Sequence, residues 1–128
     1  MGGADITPLV ASGRQLIDSY GEGRFRIAGV VHAGSVLVLP ERLEPWPVTE
    51  AAEVTFASLA PVTEEEPPSE ILLVGCGKSF EPAPAGLGAA LRQAAVALEW
   101  MDTGAACRTF NVLLAEERRV AAALIAVD

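Results

Sequence analysis

Aromatic side chains are scarce in this chain, at 5% against 51% hydrophobic residues. That excludes an interior of stacked rings and predicts a core of Val, Leu, Ile and Ala, which suits layered α/β architecture. Basic charge is also in short supply. Nine Lys and Arg face 17 Asp and Glu, for a formal charge of −8, and a field of that sign repels the phosphates that dominate nucleic-acid affinity. No nucleic-acid partner is expected. Cysteine is limited to Cys76 and Cys107, without the spacing of a disulfide-stapled secreted domain or of a paired C-x-x-C zinc site. The single histidine, His32, has neither metal-ligand spacing nor a serine-acid set around it, so no metal and no cofactor is expected. No apolar run approaches the ~20 residues that cross a bilayer, and Met1-Gly2-Gly3-Ala4-Asp5 lacks the basic and apolar blocks of a signal peptide. The expectation is a cytoplasmic protein without an integral membrane segment.

What is present has the length of one domain, 1–128. From Arg24 to Leu39 the chain reads as β-structure. Phe25 and Ile27 alternate before Gly29, and Ser35-Val36-Leu37-Val38-Leu39 follows Gly34, which predicts a hairpin turning between the two glycines. Pro40 ends the pairing, and Glu44-Pro45-Trp46-Pro47 predicts a stiff, extended connection. A short helix is expected across Glu50 to Leu59, and Pro61, Pro67 and Pro68 among acids mark a loop. Ile71-Leu72-Leu73-Val74 is apolar on both alternating faces, as in a strand covered above and below. Leu87, Ala90, Leu91, Ala94 and Ala95 repeat at helical spacing. Val96 to Met101 reads as the next strand, Thr103 to about Glu117 as a helix, and Val120 to Val127 as the last strand. The fold class is α/β: a three-layer β-α-β-α-β unit preceded by a β-hairpin, which either extends the main sheet or forms a second one.

If those strands are parallel, the loops at Gly75-Cys76-Gly77-Lys78-Ser79 and Asp102-Thr103-Gly104 emerge at one edge, where open α/β sheets hold ligands. The first loop matches phosphate-binding fingerprints poorly. Leu72 stands where G-x-x-x-x-G-K-[ST] needs its first glycine, and Phe80 where G-x-G-x-x-G needs its last. A small anion remains a candidate ligand, with Gly75 and Gly77 admitting its approach, Lys78 and Arg108 supplying charge, and Ser79, Thr103 and Asn111 orienting polar groups. The alternative for each is structural: turn glycines, solvated charges, a helix cap at Asp102 or Thr103, and a boundary hydrogen bond from Asn111. Cys76 and Cys107 are candidate reactive thiols near helix start and basic groups, or ordinary small buried residues. Trp46 between two prolines is either a rigid anchor for a partner protein or packing over its own sheet.

A wider pattern links these segments. Ile17-Asp18-Ser19-Tyr20-Gly21, Phe25-Arg26-Ile27, Gly34 to Pro40, Trp46, the Gly75/Gly77 turn and a T-x-x-A-x-x-x-[FY]-N-x-L helix at Thr103, Ala106, Phe110, Asn111 and Leu113 occur together. In this combination the chain resembles a family of small α/β domains of unknown biochemical activity that includes the mitochondrial respiratory complex I assembly factor three. The resemblance implies a Rossmann-like three-layer domain with preceding β-structure and no established catalytic residues to carry over. That family commonly has threonine between the two turn glycines, where this chain has Cys76. Its mitochondrial member works with a partner protein in early complex I assembly, and its bacterial members look associated with genes for protein export. Two functions therefore follow as expectations: a non-catalytic accessory protein with a protein partner, assisting assembly of a respiratory or other membrane complex, or an enzyme or sensor for a small anionic metabolite at the two loops.

Overall fold

The computed structural model describes residues 15–128; the reading of Met1 to Asp5 lies outside the described residues. Eight strands follow in order, β1 (Ile17–Gly21), β2 (Arg24–Ile27), β3 (Val30–Ala33), β4 (Val36–Val38), β5 (Leu43–Pro45), β6 (Ile71–Gly75), β7 (Ala97–Met101) and β8 (Val120–Leu124). Three α-helices accompany them: α1 (Ala60–Thr63), α2 (Leu87–Gln93) and α3 (Thr103–Ala115).

The all-apolar run of β6 becomes the inner strand of three parallel ones, flanked by β7 and β8 in a five-stranded sheet ordered β5-β4-β8-β6-β7. Alternation along β6 feeds two cores. Leu72 and Val74 pack with Leu91 of α2 and with Trp46, Val54, Leu59 and Val62 on one face. Leu73 packs with Ala106, Phe110 and Leu114 of α3, and with Phe25 and Ile27 of β2, on the other. In β8, Ala121 and Ala123 turn to the first core and Ala122 to the second. The expected β-α-β-α-β order is thus observed, covered on both faces as its apolar pattern requires.

The preceding β-structure differs from expectation. Strands β1, β2 and β3 form a separate antiparallel sheet, joined by two-residue turns at Glu22-Gly23 and Ala28-Gly29, where all four residues have positive φ of 54°, 74°, 50° and 82°. Left-handed pairs of this kind match the twist of adjoining strands. The hairpin therefore turns before Val30, and Gly34-Ser35 is where the chain leaves one sheet for the other. Val36, Leu37 and Val38 are all buried, a demand that a two-stranded ribbon cannot meet, and β4 instead pairs with β8 and β5.

The expected helix over Glu50 to Leu59 is two 3-10 turns, Ala51–Glu53 and Ala57–Leu59, separated at Val54 by extended backbone. Pro61 lies in the first turn of α1 rather than in a loop, a position where its missing N–H costs nothing. Trp46 is corrected as a partner anchor: its ring is 3% exposed inside the first core, and its Nε1–H donates to the Ser58 carbonyl at 2.9 Å.

Candidate functional site

The β6 and β7 loops do meet at the carboxyl end of the parallel strands. Cys76 N–H donates to the Met101 carbonyl at 2.8 Å, Thr103 N–H to the Gly77 carbonyl at 2.9 Å, and Gly77 N–H to Thr103 Oγ1 at 3.1 Å. Thr103, fully buried, also donates its hydroxyl to the Ile125 carbonyl at 2.8 Å. One side chain thereby ties the β6 loop, the start of α3 and the exit from β8. The closeness depends on Gly75. A Cβ there would stand 2.8 Å from Thr103 Cα and 3.2 Å from Leu124 Cδ2, so only glycine admits this approach.

The start of α3 is capped from within the chain. Asp102 Oδ1 accepts from Ala105 N–H at 2.9 Å, the side-chain cap that Asp, Asn, Ser and Thr supply. The Tyr20 hydroxyl lies against Gly104, with Arg108 Nη1 donating toward it at 3.5 Å. Asn111 is buried one turn of helix farther along and grips β1. Its Oδ1 accepts from Ile17 N–H at 2.9 Å and its Nδ2 donates to the Ile17 carbonyl at 2.8 Å. The boundary hydrogen bond expected of Asn111 is a two-way clamp on backbone that β1 does not share with a neighbouring strand.

Of the predicted loop residues, Cys76, Gly77, Lys78 and Ser79 line an open cleft of about 330 Å³. Thr103, Arg108 and Asn111 do not line it. Its opposite wall comes from Thr49 to Ala52 and from Ile125 to Asp128, segments whose approach no local pattern in the sequence announces. Glu50, Glu81 and Asp128 line this space together with the single lysine, a balance unfavourable to an anion. Glu53 shapes the rim by accepting from Thr49 and Glu50 N–H at 2.8 and 3.2 Å; these backbone donors lower its pKa.

The two thiols sit in different environments. Cys76 lines the cleft, with Sγ accepting from Glu81 N–H at 3.4 Å and donating to the Ser79 carbonyl at 3.7 Å. Cys107 is sealed in the core beneath α3, where burial pushes its pKa up to about 12 despite neighbouring Arg108. A thiol so protonated at neutral pH is not a nucleophile, which removes Cys107 from the reactive candidates. Both cysteines are free. Among the described residues no cluster of His, Cys, Asp and Glu has metal-binding geometry, and no helix is long and apolar enough to cross a membrane.

Comparison with known proteins gives this arrangement its relatives. A Rhodobacter capsulatus protein is 41% identical over 109 residues, covering 85% of this chain and 82% of its own length. The human NADH dehydrogenase [ubiquinone] 1 alpha subcomplex assembly factor 3 is 38% identical over 109 residues, again 85% of this chain but 59% of the human protein. This chain therefore spans about three-fifths of that relative. The crystal structure of a Bartonella henselae protein, described as an outer membrane protein, superposes with a TM-score of 0.83 at 41% identity, covering 91% of this chain and 98% of that one. The family model for proteins of unknown function DUF498/DUF598 matches residues 17–125, from the strand that Asn111 clamps to the carbonyl that Thr103 holds, and the chain belongs to that family.

Proposed function

We propose that this protein is a non-catalytic accessory factor, acting in the cytoplasm, that assists assembly of a respiratory or other membrane protein complex through contacts with other proteins. Its relatives include proteins named as complex I assembly factors, aligned over 85% of this chain. The observation that carries the reading is how the polar groups at the sheet edge are used. Thr103, Asp102 and Asn111 are all spent on the protein's own backbone. These groups build a fixed scaffold, and what such a scaffold offers is surface.

The test is to tag the protein in its native host and isolate it under mild conditions. Subunits of a membrane complex should co-purify, and a strain lacking the protein should accumulate incomplete complex on native gels. Normal amounts of assembled complex in that strain would remove the proposal. The cleft at Cys76 to Ser79 supports a second reading, a small-molecule site. A ligand at about 100 times its dissociation constant adds ~2.7 kcal/mol to stability, so a metabolite melting screen should return a shift there, and its absence would count against tight binding.

A further inference from the structure

The small sheet ends in a strand whose outer edge pairs with nothing among the described residues. Strand β3 is at its edge, and its sequence, Val30-Val31-His32-Ala33, contains no proline, lysine or acid. Val30 and Val31 are 57% and 51% exposed although they point to opposite faces. The other edges carry the devices that discourage pairing. Strand β5 has Pro45 and the Arg42–Glu44 ion pair, β7 has Glu99 at its middle, and β1 is gripped by Asn111.

The hydrogen-bond phase of this edge is fixed. Gly34 N–H donates to the Gly23 carbonyl at 2.8 Å, so in the β2–β3 register the bonded pairs are Phe25 with His32 and Ile27 with Val30. The N–H and C=O groups of Val31 and Ala33 consequently point outward, to the open side. Those same two residues are cross-strand partners of Arg26 and Arg24. Both arginines are exposed, and among the described residues neither is in a salt bridge. They share the outer face of the sheet with Ser19, across a shallow depression that Val31 also lines and that Glu22 flanks at the turn.

We propose that the β3 edge is a docking site for an extended acidic segment of a partner protein, which adds to the sheet as a fourth strand with carboxylates on its outer face. This names the surface for the protein contacts proposed above and rests on that reading. Residues of the added strand opposite Val31 and Ala33 receive the free backbone hydrogen bonds. Their side chains fall in the rows of Arg26 and Arg24, two strand spacings away at roughly 10 Å, a gap that an arginine and a glutamate close over the small side chain between them. The alternate residue of the added strand faces inward, in the row of His32 and Phe25, and is apolar. Charge complementarity thus selects acid-apolar-acid alternation in a molecule that otherwise repels acids through its net charge of −8.

The test uses the full chain and blocked peptides alternating Glu and Val. Saturable binding is expected, with amide exchange at Val31 and Ala33 slowed at least tenfold, while Val30 and His32, bonded within the hairpin, are unchanged. Replacing Glu by Lys in the peptide should weaken binding at least tenfold, and alternate N-methylation should abolish it. The double variant Arg24→Glu, Arg26→Glu alters only exposed side chains and should reverse the charge preference. No binding at millimolar peptide, protection elsewhere, or indifference to charge would overturn the site. Protection of Val31 and Ala33 without peptide, in a protein that sediments as a dimer, would also overturn it in favour of a second copy as occupant. Co-purification of complex subunits that persists in the double variant would remove this surface while leaving the accessory role standing.

Discussion

A single hydrogen atom in place of a methyl group decides whether the two rim loops meet. At Gly75 the obstacle to a Cβ is Thr103 backbone at 2.8 Å, which cannot rotate aside. Gly75→Ala is expected to cost about 1–3 kcal/mol, the range for overpacking a rigid site, and to lower the midpoint of thermal unfolding followed by circular dichroism. An unchanged midpoint would mean that α3 is free to slide away from β6. Cys107 is the second residue whose surroundings set its chemistry. Because its pKa rises from 9.0 in the open chain to about 12 when folded, the unfolded state loses the proton first as pH climbs through that interval. Stability contributed by this group is present below pH 9 and is lost as pH rises toward 12. The difference in unfolding free energy between the native protein and Cys107→Ala should therefore shrink over that range, and native-state alkylation at pH 8 should spare Cys107 until denaturant is added.

Among the elements, α3 does the joining. Its apolar stripe of Ala106, Phe110 and Leu114 covers the main sheet, its capped start holds the β6 loop, and Asn111 reaches from it to β1. Asn111→Leu keeps the volume but leaves Ile17 N–H and C=O buried without partners, at about 1–3 kcal/mol for each group. The expected signature is regional: faster amide exchange in β1 to β3 than in β6 and β8. Equal acceleration everywhere would contradict a clamp that acts on the small sheet. Much of this element was legible beforehand, because Thr103, Ala106, Phe110 and Asn111 recur at helical spacing after an apolar strand. The hairpin was less so. Gly29 and Gly34 give equal turn signals, and what separates them is that Val36 to Val38 need burial on both faces, which β4 reaches only inside the main sheet, beside β8 about ninety residues later. Local pattern carries no information on a pairing so distant. The far wall of the cleft has no local signature for the same reason, and Trp46 is ambiguous in the sequence because the Ser58 carbonyl that receives its N–H is placed by folding alone.

At the scale of the whole molecule, two cores share one sheet, and the sharing is residue by residue. Leu72 and Val74 belong to one and Leu73 to the other, while Ala121, Ala122 and Ala123 alternate in the same way. Neither face can lose its cover without exposing strands that also form the opposite core, so loosening on one side must be felt on the other. Both tryptophans report on the α2 side, Trp46 within that core and Trp100 packed against it. Phe110 lies wholly on the α3 side. Phe110→Ala removes a large buried ring and is expected to cost about 3–5 kcal/mol. If the cores unfold as one, tryptophan fluorescence and far-ultraviolet circular dichroism should move to the same lower denaturant midpoint in this variant. A fluorescence transition left where it was, with only the dichroism displaced, would show that the α3 face melts independently. The small sheet, which packs on that face, would then open while the α2-side core stayed folded.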